Sequence, residues 1–268
     1  MGLSEQELTI WAERIDTAHQ AGQLLRPISS EINLSNADAY EIQRLLTARR
    51  LATGATRVGW KLGYTSTAMR RQMRISEPNL GPLTSAMLLV DGEPPGLLLA
   101  QPRVEPEIAL RMIADLQADC SVSVAAAAVG TAHAALEIVD SVWVDYQFTL
   151  PDNTADGSSA AAVVVGPALR DLDLLDLLQV TLYRNDVKVG AGQGADALGH
   201  PLKALCWLAR ALAEHNDIVR KGDIVITGGL TPAIPMRPGD VCRAVFGEDV
   251  QVATHLPKPS HQALADTD

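Results

Sequence analysis

Apolar positions along this chain change their spacing near residue 55. Before that point the spacing is helical. Ser4-Glu5-Gln6-Glu7 is a capping-box pattern, and Leu8, Trp11, Ile15 and Ala18 follow on one stripe, predicting a helix to about Leu25. Ser35 opens a second helix to about Ala52, with Ala39, Ile42, Leu45, Leu46 and Ala48 apolar and Gly54 as a stop. Residues 1–55 therefore read as an N-terminal helical layer.

Beyond Val58, short apolar runs alternate with Gly and Pro and read as strands. They are Val58–Leu62, Met87–Val90, Glu107–Met112, Leu136–Val144, Ala161–Val165, Val180–Arg184, Val187–Val189, Ile224–Thr227 and Val241–Phe246. Asn185-Asp186 signals a hairpin. Helices are expected from Ser123 to Ala134 and from Pro201 to about His215. Strands and helices do not alternate regularly, which argues against a doubly wound sheet. The expected fold is α+β: helices packed on a mixed, strongly curved β domain over 56–256, which carries the candidate chemistry. A polar, Pro-containing tail over 257–268 is expected to be disordered.

Composition narrows the function. The 268 residues, 47% hydrophobic and 20% charged, suffice for a sizeable core. A net charge of −10 and a pI of about 5.0 argue against nucleic-acid and anionic-membrane partners. Three scattered cysteines, without zinc spacing, and no signal peptide or membrane-length apolar run point to a reducing cytoplasm.

The candidate chemistry starts at Val104-Glu105-Pro106-Glu107. Pro106 keeps the backbone extended, so Glu105 and Glu107 project to one face. Two such carboxylates repel unless a proton or cation lies between them; the alternative is a solvated acidic edge. Glu137 interrupts an apolar strand, where an unpaired charge is costly. It either completes a three-carboxylate cup for a hard cation or pairs with a core arginine. Lys61 interrupts another apolar strand, either as a proton shuttle or substrate anchor or as a snorkelling edge lysine. Thr227-Gly228-Gly229-Leu230-Thr231-Pro232 reads either as a carboxylate-gripping turn or as a plain tight turn. His200, at a helix start, is an N-cap candidate. The Gly190–Gly194 run lacks the spacing of a dinucleotide loop.

Taken in order, Gly59-Trp60-Lys61-Leu62-Gly63-Tyr64-Thr65-Ser66, Glu77-Pro78-Asn79-Leu80-Gly81, Pro102–Ala109, Leu136–Ser141, Leu198–Leu202, Trp207-Leu208-Ala209, Thr227-Gly228-Gly229 and Pro238-Gly239-Asp240 resemble the hydratase/decarboxylase branch of the fumarylacetoacetate hydrolase superfamily. The resemblance runs from about residue 35 to 247. It implies a β-roll fold, homo-oligomers with a possible pathway-enzyme partner, and Mg2+ or Mn2+ held by Glu105, Glu107 and Glu137, with Lys61 at the reacting centre. The implied reaction is hydration of a 2-hydroxy-2,4-dienoate in aromatic meta-cleavage catabolism, with decarboxylation of a 2-oxo-3-enedioate as the alternative. A C–C hydrolase lacks its expected N-terminal His–Glu pair here, and a non-catalytic homologue is a further alternative. Two positions depart from the family pattern. Asn79 replaces an acid expected to join proton transfer, and an amide is no base. Gly157 replaces an amide residue in Ala155-Asp156-Gly157-Ser158-Ser159, where Asp156 and Ser159 are expected near the substrate, together with Thr227, Gly228, Gly229 and Thr231.

Overall fold

The computed structural model describes residues 2–258; the expected tail beyond Lys258 lies outside them. In chain order the elements are α1 (Glu5–Ala21), α2 (Asn36–Ala52), β1 (Arg57–Gly63), α3 (Thr67–Met73), β2 (Asn79–Thr84), β3 (Leu88–Val90), β4 (Arg103–Met112), α4 (Val122–Ala128), β5 (Val129–Val139), α5 (Leu150–Ala155), β6 (Ala160–Leu169), β7 (Gln179–Arg184), β8 (Val187–Gln193), α6 (Pro201–Glu214), β9 (Ile224–Ile226), β10 (Ile234–Pro235), β11 (Val241–Phe246) and β12 (Val250–His255). Among the described residues, no helix is long and apolar enough to cross a membrane.

The capping box at Ser4 and Glu7 forms as expected, but α1 stops at Ala21 rather than Leu25. Gly22 takes the left-handed conformation that ends a helix at low steric cost. The Leu8, Trp11 and Ile15 stripe packs with Ile42 and Leu46 of α2 and with Val142, Trp143 and Ala155. The helical layer therefore shares its core with the segment just after β5.

The main sheet runs β2-β1-β9-β4-β5-β6-β3, with β10 also pairing β4. It is mixed: β1 and β9, and β3 and β6, are parallel, and the other pairs antiparallel. A smaller antiparallel sheet, β12-β11-β7-β8, packs against β5 and β6. Gly166 of β6 permits this approach, because a Cβ there would lie 2.7 Å from Val252 Cβ. The main sheet is strongly curled. Three strand spacings separate β1 from β5, about 14 Å if flat. Yet Lys61 of β1 meets Glu137 of β5 at 3.0 Å.

Two expected elements shift. The helix expected over Ser123–Ala134 ends at Ala128, and the strand expected from Leu136 begins at Val129. Continuous pairing with β4, from Met112↔Val129 to Arg103↔Val139, overrides the alanine-rich helical preference. β5 ends at Val139 rather than Val144, because Asp140 turns to accept the Ala100 and Gln101 N–H groups at 2.8 and 2.7 Å. Asn185 and Asp186 form the expected hairpin, both at positive φ.

Candidate metal and active site

Glu105 and Glu107 lie on one face of β4, and Glu137 on β5 stands directly opposite Glu105. One carboxylate oxygen from each lies within 4.8 Å of the others. Pro106 fits inside this central strand because β9 and β10 leave a gap along β4. The Thr227–Thr231 turn fills that gap, with Thr227 and Leu230 N–H groups donating to Ile108 and Pro106 oxygens at 3.1 and 2.9 Å.

The three acids are poorly satisfied by protein alone. Glu107 Oε2 accepts the Gly228 N–H at 2.7 Å. Glu107 Oε1 and both Glu137 oxygens are buried with no hydrogen-bond partner among the described residues. Lys61 Nζ sits 3.0 Å from Glu137 Oε2 as an ion pair, while its directed hydrogen bond goes to Ser158 O at 2.9 Å. Two charged carboxylates within 4.8 Å of each other repel by about 3 kcal/mol or more at an effective dielectric of about 20. Burial, and then repulsion from Glu137, raises Glu105 to about 7. Burial and the neighbouring glutamates push Glu107 well above the carboxylate range. Burial disfavours charge on Lys61, but Glu137, Glu105 and Glu107 outweigh it and the lysine pKa rises. Orphaned, hard, buried oxygens beside a fixed ammonium fit a hard divalent cation, and the residues present suit that group.

The cluster opens into a cavity of about 360 Å³ lined by Lys61, Tyr64, Arg103, Glu105, Tyr146, Ser158, Ser159, Gly229 and Thr231, among others. Gly229 has no room for a side chain, since a Cβ would overlap the Glu105 carboxylate. Thr231 and Ser159 reach the cavity wall. Thr227 and Gly228 stand behind it: Thr227 Oγ1 donates to Ile108 O at 3.2 Å, and Gly228 orients Glu107. Asp156 is also behind the wall. Its carboxylate accepts Ser159 N–H at 2.7 Å and the Ser141 and Ser159 hydroxyls at 3.2 Å. Burial nevertheless lifts it to about 7.

Asn79 is 1% exposed and does not line the cavity. Its Nδ2 donates to Asn153 Oδ1 at 3.0 Å and Thr154 Oγ1 at 3.1 Å, and its Oδ1 accepts the Ser158 hydroxyl at 3.0 Å. It ties together two stretches that shape the cavity, Asn153 and Ser158. His200 is a helix N-cap, accepting the Leu202 N–H at 3.0 Å. Arg70 Nη1 donates to the Tyr64 and Thr65 carbonyls at 2.6 and 2.9 Å.

Sequence reasoning missed Arg103 and its aromatic neighbours. The Arg103 guanidinium lies 3.8 Å from the Tyr146 ring centroid and has no carboxylate within salt-bridge distance among the described residues. The signal was present: Arg103 is two residues before Glu105 in an extended strand, hence on the same face. Tyr64, at φ 57°, lines the same cavity, and burial raises its phenol.

A curled mixed sheet carrying a three-carboxylate cup and a buried lysine defines a metal-dependent enzyme scaffold. The family description "Fumarylacetoacetate (FAA) hydrolase C-terminal" matches residues 80–255, and the chain belongs to that family. It is 35% identical over 229 residues to a 4-oxalocrotonate decarboxylase of a Pseudomonas species, covering 85% of this chain and 90% of that one. It is 35% identical over 239 residues to a 2-keto-4-pentenoate hydratase of Burkholderia vietnamiensis, covering 87% and 91%. In three dimensions it resembles the 4-oxalocrotonate decarboxylase of Pseudomonas putida G7 complexed with magnesium and adipate. That match has a TM-score of 0.89 and 29% identity, and covers 95% of this chain and 98% of the other.

Proposed function

We propose that this protein is a metal-dependent hydro-lyase that adds water to a 2-hydroxy-2,4-dienoate, giving a 4-hydroxy-2-oxo acid. The observation that carries the reading is the pair of unpartnered oxygens, Glu107 Oε1 and Glu137 Oε1, beside the Lys61–Glu137 ion pair and an open cavity. Glu105, Glu107 and Glu137 would hold Mg2+ or Mn2+. When bound, the cation supplies a Lewis acid that stabilises negative charge on the substrate's 2-oxygen. The remaining work falls to the chain. Ser158 O fixes the Lys61 ammonium at 2.9 Å, so Lys61 can give a proton to the substrate carbon and then recover the one the 2-hydroxyl loses as it becomes a ketone. Water then adds across the remaining double bond. Ser159, Gly229 and Thr231 form polar walls for the substrate carboxylate, and Asp156 and Asn79 hold that wall from behind.

Arg103 favours a second reading. A cavity cation without a protein carboxylate partner suits the distal acid of a 2-oxo-3-enedioate, which a decarboxylase of this type would take. The test is to supply 2-hydroxypenta-2,4-dienoate and 2-oxohex-3-enedioate with Mg2+ and follow diene absorbance and CO2. Loss of diene without CO2 supports hydration, and CO2 from the diacid supports decarboxylation. If neither substrate turns over, both readings fail. We also propose a cytoplasmic homo-oligomer, able to associate with a neighbouring pathway enzyme.

A further inference from the structure

A second cavity, of about 230 Å³, lies where α1 and α2 meet β6 and the Leu97–Leu99 segment. Its walls are mostly apolar, with Met87, Leu97, Leu98 and Ala161 among them, but Arg50 and His19 stand in its lining. Arg50 Nη2 lies 3.4 Å from His19 Nδ1. Guanidinium is a donor only, so Nδ1 is the acceptor and the ring carries its proton on Nε2. That Nε2–H is buried with no partner among the described residues. Arg50 likewise has no carboxylate within salt-bridge distance among them; the cavity's arginine ion pairs belong to Arg49, with Glu13 and Asp16, both at 3.1 Å.

A buried N–H without an acceptor, beside a guanidinium that meets only a neutral ring and no carboxylate, calls for an anionic acceptor that comes from outside. The cavity's own acids are already engaged. Asp16 is held by Arg49, and both Asp140 oxygens accept backbone N–H groups. Burial lowers the His19 pKa to about 3, so the ring is neutral and the positive charge at this end of the cavity is Arg50's. Size and lining set the rest: an apolar body for the leucine and methionine wall, with one anionic head.

We propose that this cavity is a second ligand site, separate from the metal cavity, that binds a short-chain aliphatic monocarboxylate with its carboxylate on Arg50 and His19 Nε2. The site adjoins the first through one loop. An ideal Cβ on Gly157 would have Arg50 Nη1, at 4.0 Å, as its nearest neighbour, while Ser158, the next residue, holds Lys61 through its carbonyl. The proposal does not rest on the reaction assigned to the first cavity.

The test is titration calorimetry with butyrate on the full-length, Mg2+-loaded protein whose metal cavity has been blocked with excess oxalate. Butyrate is expected to bind one per chain. Arg50→Gln is expected to weaken that binding at least about tenfold. Ala86→Trp, which plugs the cavity from an exposed lining position and leaves Arg50 intact, is expected to do the same and guards against a folding defect in the Arg50 variant. Absence of binding to the blocked parent overturns the proposal, as does unchanged affinity in Ala86→Trp or in a folded Arg50→Gln protein.

Discussion

Replacing Glu105 with Gln should stabilise the metal-free protein and weaken its response to metal. Burial and the neighbouring Glu137 raise Glu105 from the ordinary 4.5 to about 7. An acid raised on folding binds more protons folded than unfolded, so stability falls as pH climbs through that window. The displacement corresponds to about 3 kcal/mol lost once pH exceeds both values. Glutamine keeps the shape and removes the charge. In EDTA at pH 8 the variant should therefore be up to about 3 kcal/mol more stable than the parent, or roughly 6 °C in Tm for a chain of this length. Below pH 4 the advantage should vanish, because the parent carboxyl is protonated in both states. Adding Mg2+ at about 100 times its Kd should raise the parent by about 2.7 kcal/mol and the variant by much less. Urea and thermal unfolding at the two pH values, with and without Mg2+, read all four corners. Equal stability of the two proteins in EDTA at pH 8 would refute the electrostatic account. Equal stabilisation by Mg2+ would remove Glu105 from the metal site.

Three further outcomes follow from the same geometry. Gly229→Ala should displace the Glu105 carboxylate it overlaps and weaken Mg2+ binding by about 10–100-fold, measured by calorimetry. Asn79→Asp should place an acceptor against Asn153 Oδ1 where Nδ2 now donates at 3.0 Å. It should cost about 1–3 kcal/mol in urea unfolding, more above the aspartate pKa than below it. Arg103→Gln should raise KM for a diacid by about tenfold or more while leaving a monoacid nearly unchanged; steady-state kinetics on both substrates decides this, and equal effects would remove Arg103 from the distal carboxylate.

The cluster of three acids was legible in the sequence because each stands in an extended apolar segment, where charge needs a partner. Pro106 fixed the side-by-side reading of Glu105 and Glu107, and Lys61 was legible for the same reason as Glu137. The opposition of Glu105 and Glu137 was not, since register depends on pairing between β4 and β5. Asn79-Leu80-Gly81-Pro82-Leu83-Thr84 is not among the expected strands, yet it forms β2. It can do so because β2 is an edge strand, where proline is tolerated. The alanines at 125–128 extended the expected helix α4 too far for the converse reason: long-range pairing decided where β5 begins. Arg50 and His19 lie 31 residues apart in chain, on helices whose sequence pattern reveals only their apolar faces. Their meeting was invisible until α1 and α2 were packed together.

The direct opposition of Glu105 and Glu137 has a consequence for folding fidelity. Side chains on a strand alternate, so a one-residue slip of β5 against β4 would turn Glu137 to the other face of the sheet, away from Glu105 and Glu107. Only correctly aligned chains would then bring the three acids together around an ion. With the cation held as proposed, metal loading would act as proofreading: it would reward the native alignment of the two central strands and leave a slipped sheet with its acids apart.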